Sequence, residues 1–440
     1  MNDDKYFFNF YNQPGLELKK NEKDININPK VSIITSYYNS KEFMFQTINC
    51  VLNQTFPFWE WIVVDDGSTN KEDIDFLEEI KKIDGRIIVL RKDNEGLAKG
   101  RDYGINHSST NYILPLDADD LIEPTYIETL YWSLETNKKA SWAFTNSLGF
   151  GKYIYFADEQ FDSEIMKTRN QITATALIRK EKILELNGYG VAKRYVNEDW
   201  HLWLRMIAKG YYPIQATYYG FWYRRRKNSL LSEINDEKKE DNKLRLRDIK
   251  NEADKIKKRV VSVAYTNETN QDINKEELEY NTFNYSDLKF NNKKESVLYI
   301  IPEIGFNRKL QKEIKDKYKK NDIYILSIES SKKSQYANRQ NIEKYATVFN
   351  LTSFLEKKYF KRFIEYIIDT REVKDIYISS QCKEKEKITK NLKEFEYINY
   401  SNSNFLYNFN IIKYKVSKFI VIRAIKKIYR VLLKNERMEY

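Results

Sequence analysis

Three carboxylates follow directly on an apolar run in the stretch YILPLDADDLIEP, residues 112–124. Asp117, Asp119 and Asp120 would stand together at the end of a buried strand, where like charges repel and burial is costly. A cation among them removes that cost, and carboxylate oxygens are ligands suited to Mg²⁺ and Mn²⁺, which commonly bridge carboxylates to substrate phosphates. The cluster therefore predicts a divalent cation and a phosphorylated substrate, with Asp120 alternatively capping the turn before Pro124.

A second acidic pair, Glu198 and Asp199, opens an apolar helical run in the segment NEDWHLW. A carboxyl group beside a tryptophan is partly desolvated, which raises its pKa and suits it to take a proton from a hydroxyl group. The alternative is that both are ordinary first-turn acids favoured by the helix dipole. In isolation this alternative is the better interpretation.

Polar residues also end two other apolar runs. Thr35 and Tyr37 close VSIITSYYN, and Asp66 follows WIVVD. The sequence DDGS at 65–68 is also typical of a turn with helix-capping residues, and both interpretations hold if Asp65 and Ser68 are structural while Asp66 binds a ligand.

These clusters need elements that bring them together. Apolar runs at 31–39, 61–68, 86–94, 112–117 and 140–146 alternate with helical patterns at 41–53, 72–83, 97–107 and 125–136. The alternation predicts an α/β fold with a mostly parallel sheet covered on both faces. Ligands of such sheets bind outside the carboxyl ends of the strands, so the polar clusters are expected to converge on one crevice.

The rest of the chain is predicted to form further segments. Residues 1–30 are an N-terminal extension, 31–232 the first domain, 233–295 a charged, solvated helix and linker, 296–405 a second, smaller α/β domain, and 406–440 a basic tail. In the tail, residues 421–434 separate apolar from basic side chains at helical spacing. Such a helix either lies on an anionic membrane or packs on the second domain with its basic face in solvent.

Composition narrows the function. The two histidines and the two distant cysteines argue against a histidine-built metal site, zinc-type spacing and disulfides, and they fit a reducing cytoplasm. No apolar run is long enough for a transmembrane helix, and the N-terminus does not fit a signal peptide. Residues 411–440 hold nine Lys or Arg against two Glu, a net +7 of the chain's +11. Because the basicity is local and acids cluster at the proposed site, a nucleic-acid-binding protein is disfavoured.

Taken in order, the motifs of residues 31–230 resemble a family-2 glycosyltransferase of the GT-A fold. The matching segments are VSIITSYYN, QTFPFWEWIVVDDGSTN, NEGLAKGRDYGI, LPLDADDLIEP, LNGYG, NEDWHLWLRM and YRRRKNS. The chain departs from the family at Ser36, where proline is frequent, and at Asp102, where Asn is usual, and neither change removes a required chemical group. The resemblance covers about half of the chain.

The resemblance implies a role for each matching residue. Residues that would bind the donor nucleotide are Thr35, Tyr37, Asp66, Asn94, Arg101 and Asp117. Asp119 would hold Mn²⁺ or Mg²⁺ with the diphosphate, and Asp199 would be the catalytic base. Candidates for acceptor binding are Glu198, Trp200, Tyr223 and Arg224, although Trp200, Trp222 and Tyr223 equally suit a core. Arg101 equally suits a helix surface, and His201 is predicted to be structural.

The implied activity is an inverting, single-step transfer of one hexosyl or N-acetylhexosaminyl group. The donor is a nucleotide-diphospho-sugar, a UDP-sugar being favoured, and the acceptor is a glycan or lipid-linked hydroxyl, as in bacterial surface polysaccharide synthesis. The expected location is cytoplasmic or peripheral at the inner face of the cell membrane. A catalytically inactive GT-A scaffold is the alternative. The presence of Asp66, Asp119 and Asp199 argues against it. Residues 296–405 faintly resemble the N-terminal half of a GT-B enzyme, and a docking or acceptor-positioning module is an equal alternative.

Overall fold

The structure is a computed structural model that describes residues 8–17, 28–190, 197–226, 239–264, 288, 290, 294–303, 308–328, 336–379 and 411–415. The chain divides into two compact units. One is Gln13–Thr282, and the other joins Met1–Asn12 to Phe283–Tyr440.

The first unit is built on a mixed sheet that has ten strands in the part of the chain described. The strands are β1 (Val31–Tyr37), β2 (Trp59–Asp65), β3 (Ile87–Arg91), β4 (Tyr112–Pro115), β5 (Leu121–Ile122), β6 (Trp142–Gly151), β7 (Tyr155–Ala157), β8 (Leu177–Arg179), β9 (Pro213–Arg225) and β10 (Val263–Ala264). Their order is β10-β9-β6-β8-β4-β1-β2-β3, with β5 on β9 and β7 on β6. The predicted α/β class with a mixed, mostly parallel sheet is confirmed.

Strand direction changes at β8, which pairs antiparallel with both β4 and β6. The strands β1 to β4 are parallel, so their carboxyl ends lie at one edge, as the apolar runs predict. Every residue of β2 is buried, which is typical of a strand covered on both faces.

Helices cover this sheet. They are α1 (Lys41–Leu52), α2 (Lys71–Ile80), α3 (Leu97–His107), α4 (Tyr126–Glu135), α5 (Ser163–Met166), α6 (Lys180–Leu184), α7 (Glu198–Ala208) and α8 (Lys239–Asp254). Trp203 of α7 stacks on Trp142 of β6 with ring centroids 5.4 Å apart, which anchors α7 on the sheet. This contact fixes the helix that begins with Glu198 and Asp199.

The prediction that the charged helix within residues 233–295 is solvated is wrong for one of its faces. Ile249 and Ala253 of α8, with Ile256 just beyond it, are buried in the same core as Trp203. Their spacing of four and three residues places them on one helical stripe, which the surrounding charges conceal in the sequence. The helix therefore packs directly against the core of the first unit.

The second unit contains a smaller sheet of order β13-β12-β11-β14-β15. Its strands are β11 (Glu295–Ile301), β12 (Asn321–Ser327), β13 (Thr347–Asn350), β14 (Val373–Ser379) and β15 (Ile411–Lys415), and its helices are α9 (Arg308–Lys317), α10 (Tyr336–Glu343) and α11 (Lys357–Thr370). The first four strands are parallel and β15 is antiparallel to β14. The predicted second α/β fold is confirmed.

Two predicted terminal segments contribute to this second unit. Asn9, assigned from sequence to the N-terminal extension, receives a hydrogen bond from the Gln340 side chain and donates one to it. Ile411–Lys415, assigned to the basic tail, instead forms the edge strand β15, because its backbone completes the hydrogen bonds of β14. The predicted amphipathic helix at 421–434 lies outside the described residues.

Candidate active site

Helix α3 lies directly against β1, and this contact positions the site. A Cβ atom on Gly100 would come within 2.1 Å of the Ser36 hydroxyl, and one on Gly104 within 2.6 Å of Ile34. Glycine at both positions, one helical turn apart, lets the helix approach the strand closely. Arg101, next to Gly100, is thereby brought to the carboxyl ends of β1 and β4.

Arg101 is buried between two carboxylates from different elements. Its Nη2 lies 2.6 Å from Asp117 Oδ1, just after β4, and its Nη1 lies 2.5 Å from Glu198 Oε1, at the start of α7. The arginine is only 1% exposed, so its charge has to be matched inside the protein. The surface-helix interpretation of Arg101 is wrong, because the side chain joins the end of β4 to the start of α7.

Asp119 and Asp120 form a turn that two arginines surround. Arg226 Nη2 lies 2.8 Å from Asp119 Oδ2, and the backbone N–H of Arg224 donates to Asp120 Oδ1 at 2.8 Å. Burial raises the pKa of both carboxyl groups, and the neighbouring Asp117 raises both further. A positive partner is therefore favourable here, and for Asp119 the structure supplies Arg226.

The turn of Asp119 and Asp120 is the candidate cation site. Within the described residues there is no group of three or more His, Cys, Asp or Glu side chains arranged to hold a metal ion. Asp119 nevertheless fits the role of a single protein ligand to a cation whose other ligands come from substrate phosphates. Burial disfavours its unpaired negative charge, and Asp117 lies near it. Asp119 is thus the carboxylate that fits a cation, at the place now filled by Arg226.

Asp199 has the properties of a general base. Burial and the charge of the adjacent Glu198 together raise the pKa of its carboxyl group to about 7. Its Oδ2 accepts a hydrogen bond from Asn170 Nδ2 at 3.0 Å, and its Oδ1 accepts one from the Trp200 backbone at 2.7 Å. A carboxylate with a pKa near neutral pH is deprotonated in a large fraction of molecules and still has enough proton affinity to accept a proton from a substrate.

The carboxylates after β2 are already engaged within the chain. Asp65 accepts hydrogen bonds from the Ser68 backbone and from Arg91, as expected of a structural turn residue. Asp66 accepts from the backbone N–H groups of Glu95 and Gly96 at 3.0 and 2.7 Å and from Lys92 Nζ at 2.9 Å. Asp66 therefore binds the start of α3, and its contact with a nucleotide base remains a prediction.

Thr35 and Tyr37 lie at the end of β1 with their side chains turned into the protein. The Thr35 hydroxyl donates to Leu116 O at 2.7 Å and accepts from Trp61 Nε1 at 2.9 Å. The Tyr37 hydroxyl donates to Asp73, and the residue is fully buried. Both residues shape the strand end, and their predicted contact with the donor stays a prediction.

The remaining predicted residues occupy different environments. Trp200 donates from Nε1 to Met166 O at 2.7 Å and packs on the core, and Trp222 is fully buried. Arg224 donates to the backbone oxygen of Asp119 and to Gln46, so it braces the aspartate turn. Tyr223 and Asn94 are half-buried; burial raises the pKa of the Tyr223 phenol, and the charges of Asp120, Asp117 and Asp199 raise it further.

Three residues of the site were not assigned roles from the sequence. Asn170 binds Asp199, Lys92 binds Asp66, and Arg226 binds Asp119. Arg226 lies within the segment YRRRKNS, and Lys92 lies two residues before the segment NEGLAKGR. Position relative to a motif was therefore a usable signal for both residues. Asn170 follows no recognisable pattern, because only the packing of α5 against α7 brings it to Asp199.

Comparison with known proteins shows which family this part of the chain is similar to. Residues 32–186 match the sequence profile of the family described as "Glycosyl transferase family 2". This range contains β1 to β4 with the carboxylates that follow them, and it ends before Glu198 and Asp199.

Individual relatives match the same part of the chain. Glycosyltransferase GlyA of Streptococcus pneumoniae is 26% identical over 223 residues, which cover 46% of this chain and 32% of the relative. TuaG of Bacillus subtilis, named as a teichuronic acid biosynthesis glycosyltransferase, is 29% identical over 196 residues, 42% of this chain and 75% of TuaG. The chain thus spans about a third of GlyA. A solved structure of S. aureus TarS 1-349 in complex with UDP-GlcNAc has a TM-score of 0.40 and 18% identity, and the match covers 46% of this chain and 60% of the solved TarS fragment.

Proposed function

We propose that the protein moves one sugar from a nucleotide-diphospho-sugar to a hydroxyl group of a glycan or lipid-linked acceptor, on the premise that residues 32–186, which match the family described as "Glycosyl transferase family 2", are its catalytic domain. The observation that carries the proposal is the position of Arg101. It bonds Asp117 after β4 and Glu198 beside Asp199, so the strand-end acids and the candidate base belong to one site.

The proposed reaction is a single displacement with inversion at the sugar C1. Asp199 takes the proton of the acceptor hydroxyl as its oxygen forms a bond to C1. The bond from C1 to the diphosphate oxygen breaks on the opposite face, and its electron pair leaves with the nucleoside diphosphate. The buried Asp199, with a pKa of about 7, suits the proton transfer.

The leaving diphosphate needs positive charge, which a divalent cation and nearby arginines would supply. Asp119 is the residue that would hold Mn²⁺ or Mg²⁺. Arg224, on β9, and Arg226, directly after it, contact Asp119 and bring two guanidinium groups to it. Asp117 is fixed by Arg101 for the ribose contact that the family resemblance implies.

The donor favoured is a UDP-sugar carrying a hexosyl or N-acetylhexosaminyl group. TuaG, which matches over 75% of its own length, is named for teichuronic acid biosynthesis, and this supports a role in bacterial surface polysaccharide synthesis. Within the described residues no helix has the length and apolar character needed to cross a bilayer. A peripheral position at the inner face of the cell membrane, through residues 421–434, is part of the proposal.

The experiment that tests this function is a thermal-shift screen of nucleotide-sugars with and without Mn²⁺, followed by release of nucleoside diphosphate from each donor that stabilises the protein. Stabilisation by one nucleotide class and slow donor hydrolysis are expected. The inactive-scaffold alternative predicts stabilisation without any release of diphosphate.

A further inference from the structure

Three consecutive arginines, Arg224, Arg225 and Arg226, end β9 or directly follow it, and their environments differ. Arg224 contacts the turn of Asp119 and Asp120, and Arg226 pairs with Asp119. Arg225 has no carboxylate within ion-pair distance among the residues that the structure describes. Its charge is therefore available to a ligand.

Tyrosines surround Arg225. Its guanidinium carbon lies 4.7 Å from the ring centroid of Tyr153, 5.9 Å from that of Tyr155 and 5.1 Å from that of Tyr223. Its Nη2 donates a hydrogen bond to the Tyr153 hydroxyl. We call these four residues the tyrosine cluster. Rings hold the guanidinium in place without neutralising it, because a ring quadrupole orients a cation but carries no net charge.

The fold builds the tyrosine cluster on one face of the sheet. Tyr223 and Arg225 are two residues apart on β9, so their side chains point to the same side. Tyr155 pairs with Gly149 across β6 and β7, and a Cβ atom on Gly149 would lie 2.0 Å from the Tyr155 ring. Glycine at this position lets the ring lie across the strand beneath Arg225.

Arg224 connects the tyrosine cluster to the aspartate turn. Its backbone N–H donates to Asp120 Oδ1 at 2.8 Å and its Nε donates to the backbone oxygen of Asp119 at 2.7 Å, so the next residue, Arg225, lies beside that turn. Tyr153, at the other end of the cluster, is 45% exposed. The cluster thus extends from the strand beside the aspartate turn to solvent.

We propose that the tyrosine cluster is an acceptor subsite in which Arg225 binds an anionic group, a phosphate or a carboxylate, of the acceptor glycan. Guanidinium groups bind both anions through paired N–H donors, and tyrosine faces stack on sugar rings. The proposal rests on the proposed function and specifies its acceptor as a negatively charged glycan.

The test measures binding of three oligosaccharide probes by titration calorimetry in the presence of UDP and Mn²⁺. Tetragalacturonate carries carboxylates, a ribitol phosphate oligomer carries phosphates, and maltotetraose is neutral. Wild-type protein should bind one charged probe at least about tenfold more tightly than maltotetraose, the size of one charge-assisted contact. Which probe binds identifies the anion. Equal binding of charged and neutral probes, or binding of none, overturns the proposal.

Two variants locate the effect. Arg225→Gln should lose the preference for the charged probe, while its stabilisation by UDP and Mn²⁺ stays at the wild-type level. Arg259→Gln removes the same charge outside the tyrosine cluster and should retain the preference. Equal loss in both variants, or weaker UDP binding in Arg225→Gln, would assign the effect to general charge or to the donor site. If the preference for the charged probe depends on Arg225 but no nucleotide-sugar is turned over, the anion-binding subsite is supported and the proposed glycosyl transfer is contradicted.

Discussion

Arg101 pairs with Glu198 across 97 residues of sequence, with Nη1 and Oε1 2.5 Å apart and both side chains buried. Asn197, which precedes α7, provides no side-chain capping hydrogen bond. The first turn of the helix is therefore held by Arg101 through Glu198 and by Asn170 through Asp199. The pair commits Glu198 to the guanidinium and leaves Asp199 as the carboxylate free to act as a base.

Replacing Asp199 with Asn should lower the rate of sugar transfer by roughly 10²–10⁴, the usual contribution of a positioned general base. The substitution keeps size and removes proton affinity, so stabilisation by UDP and Mn²⁺ should be unchanged. The measurement is the initial transfer rate at saturating donor. Near-normal turnover in Asp199→Asn would move the base elsewhere in the site.

The transfer rate should rise with pH around a midpoint of about 7, because Asp199 acts only when deprotonated and its pKa is raised to about 7. Burial and Glu198 raise this pKa, whereas the Trp200 backbone N–H, Arg101 and Asn170 lower it. A profile of kcat between pH 5 and 9 measures the midpoint, and the residual rate of Asp199→Asn should lack this rise. A wild-type rate that is flat from pH 5 to 9 contradicts the assignment.

Stability should show the opposite pH dependence. The folded-state pKa of Asp199 lies above that of the unfolded chain, so the folded state holds the proton more tightly and loses stability as pH rises from about 4 to about 7. Asp199→Asn removes this loss, and its free energy of unfolding relative to wild type should increase by up to about 1.4 kcal/mol per pH unit over that interval. Denaturant unfolding at pH 5 and pH 8 gives the comparison. A difference between the two proteins that is independent of pH would mean that Asp199 titrates normally.

Replacing Glu198 with Gln should destabilise the protein by about 3 kcal/mol, because it leaves part of the buried Arg101 charge unmatched. The pair formed by Lys81 and Glu78 is a matched control, since it has the same 2.5 Å separation but exposed side chains. Glu78→Gln should cost less than about 1 kcal/mol. Urea unfolding of the two variants tests this, and equal costs would show that Arg101 finds another partner. The loss of transfer rate should be smaller for Glu198→Gln than for Asp199→Asn.

Replacing Asp119 with Asn should abolish the part of UDP stabilisation that depends on Mn²⁺. With ligand at a hundred times its dissociation constant, that part is worth up to about 2.7 kcal/mol in wild type. Asp162 is a suitable control because it is similarly shielded and pairs with Arg259 at 2.6 Å. Asp162→Asn should keep the metal dependence. Thermal shifts that are the same in Mn²⁺ and in EDTA, for wild type and both variants, would exclude the metal role.

Truncation after Lys415 should retain β15 and remove the basic residues that follow it. We expect the shortened chain to lose binding to vesicles that contain anionic lipid while it still binds UDP, because the removed segment carries seven Lys or Arg against two Glu. Vesicle co-sedimentation at physiological salt is the measurement. Unchanged vesicle binding would exclude the tail as the membrane contact, and a lower unfolding temperature would support packing of the tail on the second unit.

The sequence by itself determined the α/β class and the placement of acids at strand ends. Apolar runs that stop at Asp65 and Asp117 specify buried strands followed by polar turns, because few other structures accommodate such runs beside charges. The order of the motifs indicated the family for the same reason, since each is a local feature of one strand end or helix start. Local patterns also placed helix α3 correctly, through the glycine-rich segment that begins it.

Only the tertiary structure decided which charges meet. The partners of Arg101 lie 16 and 97 residues away, and no local pattern encodes either distance. The same holds for Asn170 and Asp199, which meet because α5 packs on α7. Strand alternation turned Thr35 inward, where Trp61 and Leu116 use its hydroxyl group. Pairs of residues that are distant in sequence meet only when helices and strands pack. The identity of such pairs therefore cannot be read from local sequence patterns.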